Sequence, residues 1–117
     1  AGPGTDAQMA IAKMNNRDAS VAESQSYTNG LMVTQIAVEA IRRVKAKGME
    51  VSKESLYDEL NAMNGMNSYF PLTTVGPVSF SKTDRSGVDS LQLYKAQNGV
   101  FNVVGQPFTS AYFRKIQ

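Results

Sequence analysis

The chain has no cysteine, no histidine and no tryptophan among its 117 residues. Without cysteine there is no disulfide framework, no thiolate metal site and no thiol nucleophile. That absence leaves the compartment open, because exported proteins also do without disulfides. Without histidine the commonest general base and the commonest metal ligand are gone. No apolar run approaches the length needed to span a bilayer. The amino end shows no secretory signal, as expected of an exported protein that has lost it or of a fragment. Charge of one sign is also scarce: twelve Lys and Arg stand against ten Asp and Glu, for a net +2. The basic residues are not massed into a stripe, so nucleic acid is not an expected partner.

What is present is a 42% apolar fraction in a chain long enough for one domain of ordinary size. Its patterning changes along the chain. Thr5 or Asp6 is placed to cap a short helix reaching about Asn15, with Ala7, Met9, Ala10, Ile11 and Met14 as apolar members. The strongest helix runs from about Glu23 to Lys47. Val33, Ile36, Ala37, Ala40, Ile41 and Val44 recur at helical spacing and predict a broad buried stripe. Arg42, Arg43, Lys45 and Lys47 crowd its last turns, where cations complement the helix dipole. Gly48 follows as a left-handed cap. Gly30, inside the pattern, is expected where a neighbour packs closely. A third helix is expected after Val51, capped by Ser52 with Glu54 in the first turn, edged by Leu56, Leu60 and Met63, and ended by Gly65.

The remainder reads as β. Val78 and Phe80 suggest a short strand, and Asp84 to Gly87 a turn with Asp84 accepting from nearby amides. Asn98-Gly99 lies between two alternating apolar runs, a strong hairpin signal. A two-residue turn there would set Ala96 opposite Phe101 and Tyr94 opposite Val103. Gly105-Gln106-Pro107 is expected to end the ladder.

Catalytic constellations are weak. Ser79 and Ser81 lie near Lys82, but nothing in the pattern activates or orients them. Asp58 and Glu59 point to different helix faces and share neither a metal nor a proton. The six methionines are dispersed and read as core fillers. No cofactor or metal is implied, and a standalone enzyme finds no support in these spacings.

The ordered set of segments is more informative. Ser26-Tyr27-Thr28-Asn29-Gly30, the helix from Gln35 to Val44, the capped helix from Val51 to Leu60, the GPVSF of Gly76 to Phe80, the Asp84-to-Gly87 turn and the hairpin follow one another. Together they resemble the C-terminal portion of the branched-chain amino acid (Leu/Ile/Val) binding proteins, type I periplasmic solute-binding proteins of ABC transporters. The family often has His after the aspartate of that turn, where this chain has Arg85.

The resemblance implies an α/β fold: a fragment of the two-lobed type I periplasmic binding protein. Two or three helices would precede a short strand and an antiparallel β-hairpin. Residues 1–75 would be the helical part of one lobe and 76–117 the hairpin and hinge-crossing segment. The chain would lack the central sheets, and its exposed surfaces would pack on the missing remainder of the parent chain or self-associate. The implied function is capture of a small amino acid, amide or related organic acid by lobe closure, without a chemical step. The expected partners are that small-molecule ligand and the membrane permease of the importer, and the expected location is periplasmic or otherwise extracytoplasmic. A ligand-sensing domain of a receptor or regulator is the alternative on the same fold. Gln25, Ser26 and Tyr27, where the long helix would face the inter-lobe cleft, are the first binding candidates, through hydroxyl and amide groups at a helix mouth. Tyr69 and Phe70 are the second, as an apolar pocket wall. The bland readings are that Tyr27 packs at the helix start and that the loop aromatics fold onto the core.

Overall fold

Backbone decisions at five positions, four of them small polar residues and one a glycine, set the helical half of the chain. The computed structural model describes residues 5–66 and 76–109. Helix α1 spans Thr5–Met14, with Asp6 in its first turn. Asn16, at φ 53°, takes the left-handed conformation just beyond it. Helix α2 is a single turn, Ala19–Ala22, capped by Asp18, whose side chain accepts from the Ser20 amide. Helix α3 is the long one, Gln25–Ala46, capped by Ser24. Gly48, at φ 70°, then reverses the chain as expected. Helix α4 spans Lys53–Asn61, where Ser52 and Ser55 form a reciprocal capping box. The sequence reading missed α2, because one turn is too short to show a period.

Helix α4 ends earlier than the expected stop at Gly65. Its C-cap is Ala62, and Met63 lies beyond it, fully buried. From there the chain closes a small core of Ala40, Met63, Met66 and Val78, with Ile36, Leu56, Leu60, Phe80 and Val88 packed around it. Two isolated antiparallel bridges, Met66 to Val78 and Ser79 to Gly87, replace the expected strand at Val78 and Phe80. The Phe80 amide donates to the Met63 carbonyl at 2.8 Å, tying this crossing to the end of α4. Gly87 has φ 79°, and a Cβ there would stand 2.9 Å from the Phe80 ring. The turn thus needs glycine both for its backbone and for the ring above it.

Strands β1 (Ser90–Gln97) and β2 (Val100–Thr109) form an antiparallel hairpin. Asn98 and Gly99 take φ 53° and 75°, as a type I′ turn requires. Ala96 pairs with Phe101 and Tyr94 with Val103, the expected register. The ladder does not end at Gly105-Gln106-Pro107. It continues to Thr109 through an irregularity: Leu93 pairs with Val104 and Leu91 with Phe108, so Gln92 faces residues 105–107. Gly105 has φ 69°, and the Gln92 amide donates to the Leu93 and Val104 carbonyls at 3.1 and 3.2 Å. That side chain adds hydrogen bonds where the ladder becomes irregular.

Much of the apolar surface is uncovered. Of the stripe expected to be buried on α3, Ala40 and Val44 are buried and Ile36 is half-buried, but Ala37 and Ile41 are exposed and Val33 is 61% exposed. Gly30, expected against a neighbour, has nothing within 4 Å of where its Cβ would be. Met14, expected on the apolar side of α1, is 83% exposed. The physical reason is common to all three: the helical period fixes which residues share a face, and a second element must supply the cover. On the hairpin, Leu93, Tyr94, Phe101, Val103 and Val104 are all exposed. The radius of gyration is 16.3 Å, where a compact domain of 100 residues has about 13 Å. The extents, 52 × 43 × 18 Å, describe a thin slab.

Candidate binding surface

The first turn of α3 gathers the main candidates. The Ser24 hydroxyl accepts from the Tyr27 amide at 3.2 Å and donates to the Val21 carbonyl at 2.8 Å. This pins the short α2 to the mouth of α3. Gln25 and Ser26 are exposed there and Tyr27 is half-buried. Gln25 is not idle: its amide donates to Asn29 Oδ1 at 3.0 Å, one turn along. Three of the five candidates thus come together on one helical turn, while Tyr69 and Phe70 lie outside the described residues.

Sequence reasoning missed Gln8, which organises the floor of this region. Gln8 is buried on α1 and donates to the Ala22 carbonyl and, at 3.0 Å, to the Thr28 hydroxyl. The Thr28 hydroxyl in turn lies 3.1 Å from Gln8 Oε1. One side chain therefore joins α1, α2 and the second turn of α3. The only sequence signal was a lone glutamine amid apolar residues, four before buried Ala12. Further along α3, Gln35 is 8% exposed, and neither of its amide atoms has a hydrogen-bond partner.

The charges expected to serve only the helix dipole have specific partners. Glu39 is buried and receives Arg42 Nε at 2.8 Å and Arg43 Nε at 2.7 Å. The Arg42 hydrogen bonds hold its carboxyl down at about 2, against the opposing effect of burial, with Arg43 adding to the depression. Lys47 pairs with buried Glu59, clamping the end of α3 onto α4. Among the described residues no cluster of three or more acidic side chains is placed to hold a metal.

Ser79 and Ser81, the serines near Lys82, both bond to backbone amides. Ser79 Oγ accepts from the Gly65 amide at 2.8 Å, and Ser81 Oγ accepts from the Asp84 amide at 3.0 Å. Asp84 behaves as the turn reading expects. Its Oδ1 accepts from the Ser86 hydroxyl and amide at 2.6 and 2.9 Å, which lowers its pKa below the usual aspartate value. Arg85, at the position where the family often has His, donates to the Tyr57 hydroxyl at 3.2 Å and lies 5.5 Å from the centre of that ring. This hydrogen bond, together with the arginine's charge, lowers the Tyr57 pKa. Arg85 also rims an open groove of about 310 Å³ walled by Val33, Ile36, Leu60 and Phe80. That groove runs into the uncovered side of α3 at Val33.

No family model matches the chain, and no curated protein matches it. A solved structure does. It is the crystal structure of a branched chain amino acid ABC transporter from Thermus thermophilus with bound valine, matched at a TM-score of 0.79 and 36% identity over 99% of this chain. This chain matches a fragment of that protein. It spans 32% of the solved chain's length. The helices followed by an antiparallel hairpin are therefore part of a type I periplasmic binding protein fold. The slab shape and the uncovered apolar faces have a direct counterpart in that ratio. About two-thirds of the neighbour has no equivalent here, and α3 and the hairpin lack cover among the described residues.

Proposed function

We propose that this chain is part of the substrate-binding component of an ABC importer, which captures a small amino acid or related organic acid by closing two lobes around it. One observation carries the reading: the 36% identity, sustained over 99% of the chain, to a transporter protein solved with valine bound. In this reading residues 1–75 supply helices to one lobe, and 76–117 supply the hairpin and the crossing back through the hinge. The parent protein works outside the inner membrane and presents its closed form to a membrane permease. It performs no chemical step, in keeping with a sequence free of histidine and cysteine.

A free amino acid offers a carboxylate, an ammonium group and a side chain. The mouth of α3 offers the Gln25 amide and the Ser26 and Tyr27 hydroxyls. We assign these three to the polar end of the ligand, and Tyr69 and Phe70 to its apolar end. Ser24 already satisfies the Tyr27 amide, so the side chains have the larger part to play.

Calorimetric titration of the full-length protein with valine, leucine and isoleucine tests the reading. Saturable binding to at least one is expected. Tyr27→Phe should weaken it about tenfold, the effect of losing one hydrogen bond worth about 1.4 kcal/mol. No heat with any small amino acid, amide or organic acid would overturn the proposal.

A further inference from the structure

The hairpin has two outer edges, and they are built differently. Strand β2 carries Pro107, which has no backbone N–H, and the irregularity at residues 105–107. Proline and bulges belong to strands with no neighbour on their outer side, where they block pairing. Strand β1 carries neither. Its residues Leu91 and Leu93 lie on one face, Tyr94 and Ala96 on the other, and all four are exposed. Between Ser90 and Thr109 the only charged residue is Lys95. Beside Ser90, Gln92, Gln97 and a single charge, Lys95, the strand thus has apolar residues on both faces and no proline, as a strand with neighbours on both sides can.

The register says which groups of β1 face outward. In a two-residue hairpin the pair flanking the turn, Gln97 and Val100, is hydrogen-bonded, and the pairs alternate from there. The amides and carbonyls of Tyr94 and Ala96 therefore point away from β2, and those of Phe101 and Val103 point away from β1. Among the described residues the sheet has only these two strands.

We infer that the free edge of β1 is a strand-addition site, and that β2 is the outermost strand of the completed sheet. The occupant is a β-strand from the part of the binding-protein fold that has no counterpart in this chain. The match leaves about two-thirds of the neighbour's length to provide it. The inference rests on the reading of this chain as one part of a longer protein. It adds which edge is filled and which stays open.

Amide hydrogen exchange on the full-length protein, resolved by residue and corrected for intrinsic rates, tests it. Exchange at Tyr94 and Ala96 should be slower than at Phe101 and Val103 by on the order of 100-fold. Equal rates at the two pairs, or the reverse order, would overturn the inference. Protection of Tyr94 and Ala96 that grows with protein concentration would assign the edge to a second copy and also overturn it. The outcome is independent of ligand: amino-acid binding with equal exchange rates removes only this inference, and the predicted rates without amino-acid binding remove only the functional proposal.

Discussion

Glu39 is a buried carboxylate held between two arginines of its own helix. Hydrogen bonds from Arg42 hold its carboxyl down to about 2 from an ordinary 4.5, burial acts in the opposite sense, and Arg43 adds to the depression. A carboxyl whose folded pKa lies below its unfolded value adds stability above the unfolded value and loses it as pH falls through the folded one. The window for Glu39 is thus about 4.5 down to about 2. Denaturant unfolding of the full-length protein should show Glu39→Gln less stable than the parent at pH 7, with the deficit shrinking towards pH 2. A deficit that does not change with pH would mean that the arginine contacts contribute little. Residue-scale features were legible where their cause is local. Ser52, Gly48, Asp84 and the Asn98-Gly99 pair were readable because each acts on backbone within a few positions. Gln8 and the partners of Arg85 were not, because their bonds cross 14, 20 and 28 positions.

At the scale of the element, α3 shows what periodicity can and cannot say. The spacing placed Val33, Ile36, Ala37, Ala40, Ile41 and Val44 on one side of the helix. The structure divides that side: Ala40 and Ile36 pack in the core around Met63, Val44 is buried, and the rest is exposed. Gly30, Val33, Ala37 and Ile41 recur at three- and four-residue steps, so they form a continuous uncovered ridge with two small residues in it. This gives Gly30→Ala opposite signs in two settings. In the chain alone nothing crowds the new methyl group, so helix content by circular dichroism should rise, with a gain of about 1 kcal/mol in α3. In the full-length protein an element packed closely on the ridge would be displaced, at a cost of about 1–3 kcal/mol in unfolding free energy. Stabilisation in both settings would mean that nothing covers Gly30. The hairpin repeats the lesson. Its turn and register follow from local residues, whereas the continuation past Gly105 depends on Gln92 across the ladder. Of the proposed site, Gln25, Ser26 and Tyr27 were legible together because they are consecutive on one turn, whereas Tyr69 and Phe70 lie outside the described residues.

At the scale of the whole molecule, these residues form two surfaces without a common core: a helical layer closed by a few side chains and a hairpin whose apolar residues are exposed. Phe101 is 75% exposed, and the slab is 18 Å through at its thinnest. Such a chain, taken alone, buries too little to unfold as one unit. Differential scanning calorimetry on the isolated 117-residue chain measures this most directly. A broad, weak transition is expected, with no agreement between calorimetric and van't Hoff enthalpies. A single sharp endotherm on the order of 80 kcal/mol near 60 °C, as a self-contained domain of this size gives, would contradict it.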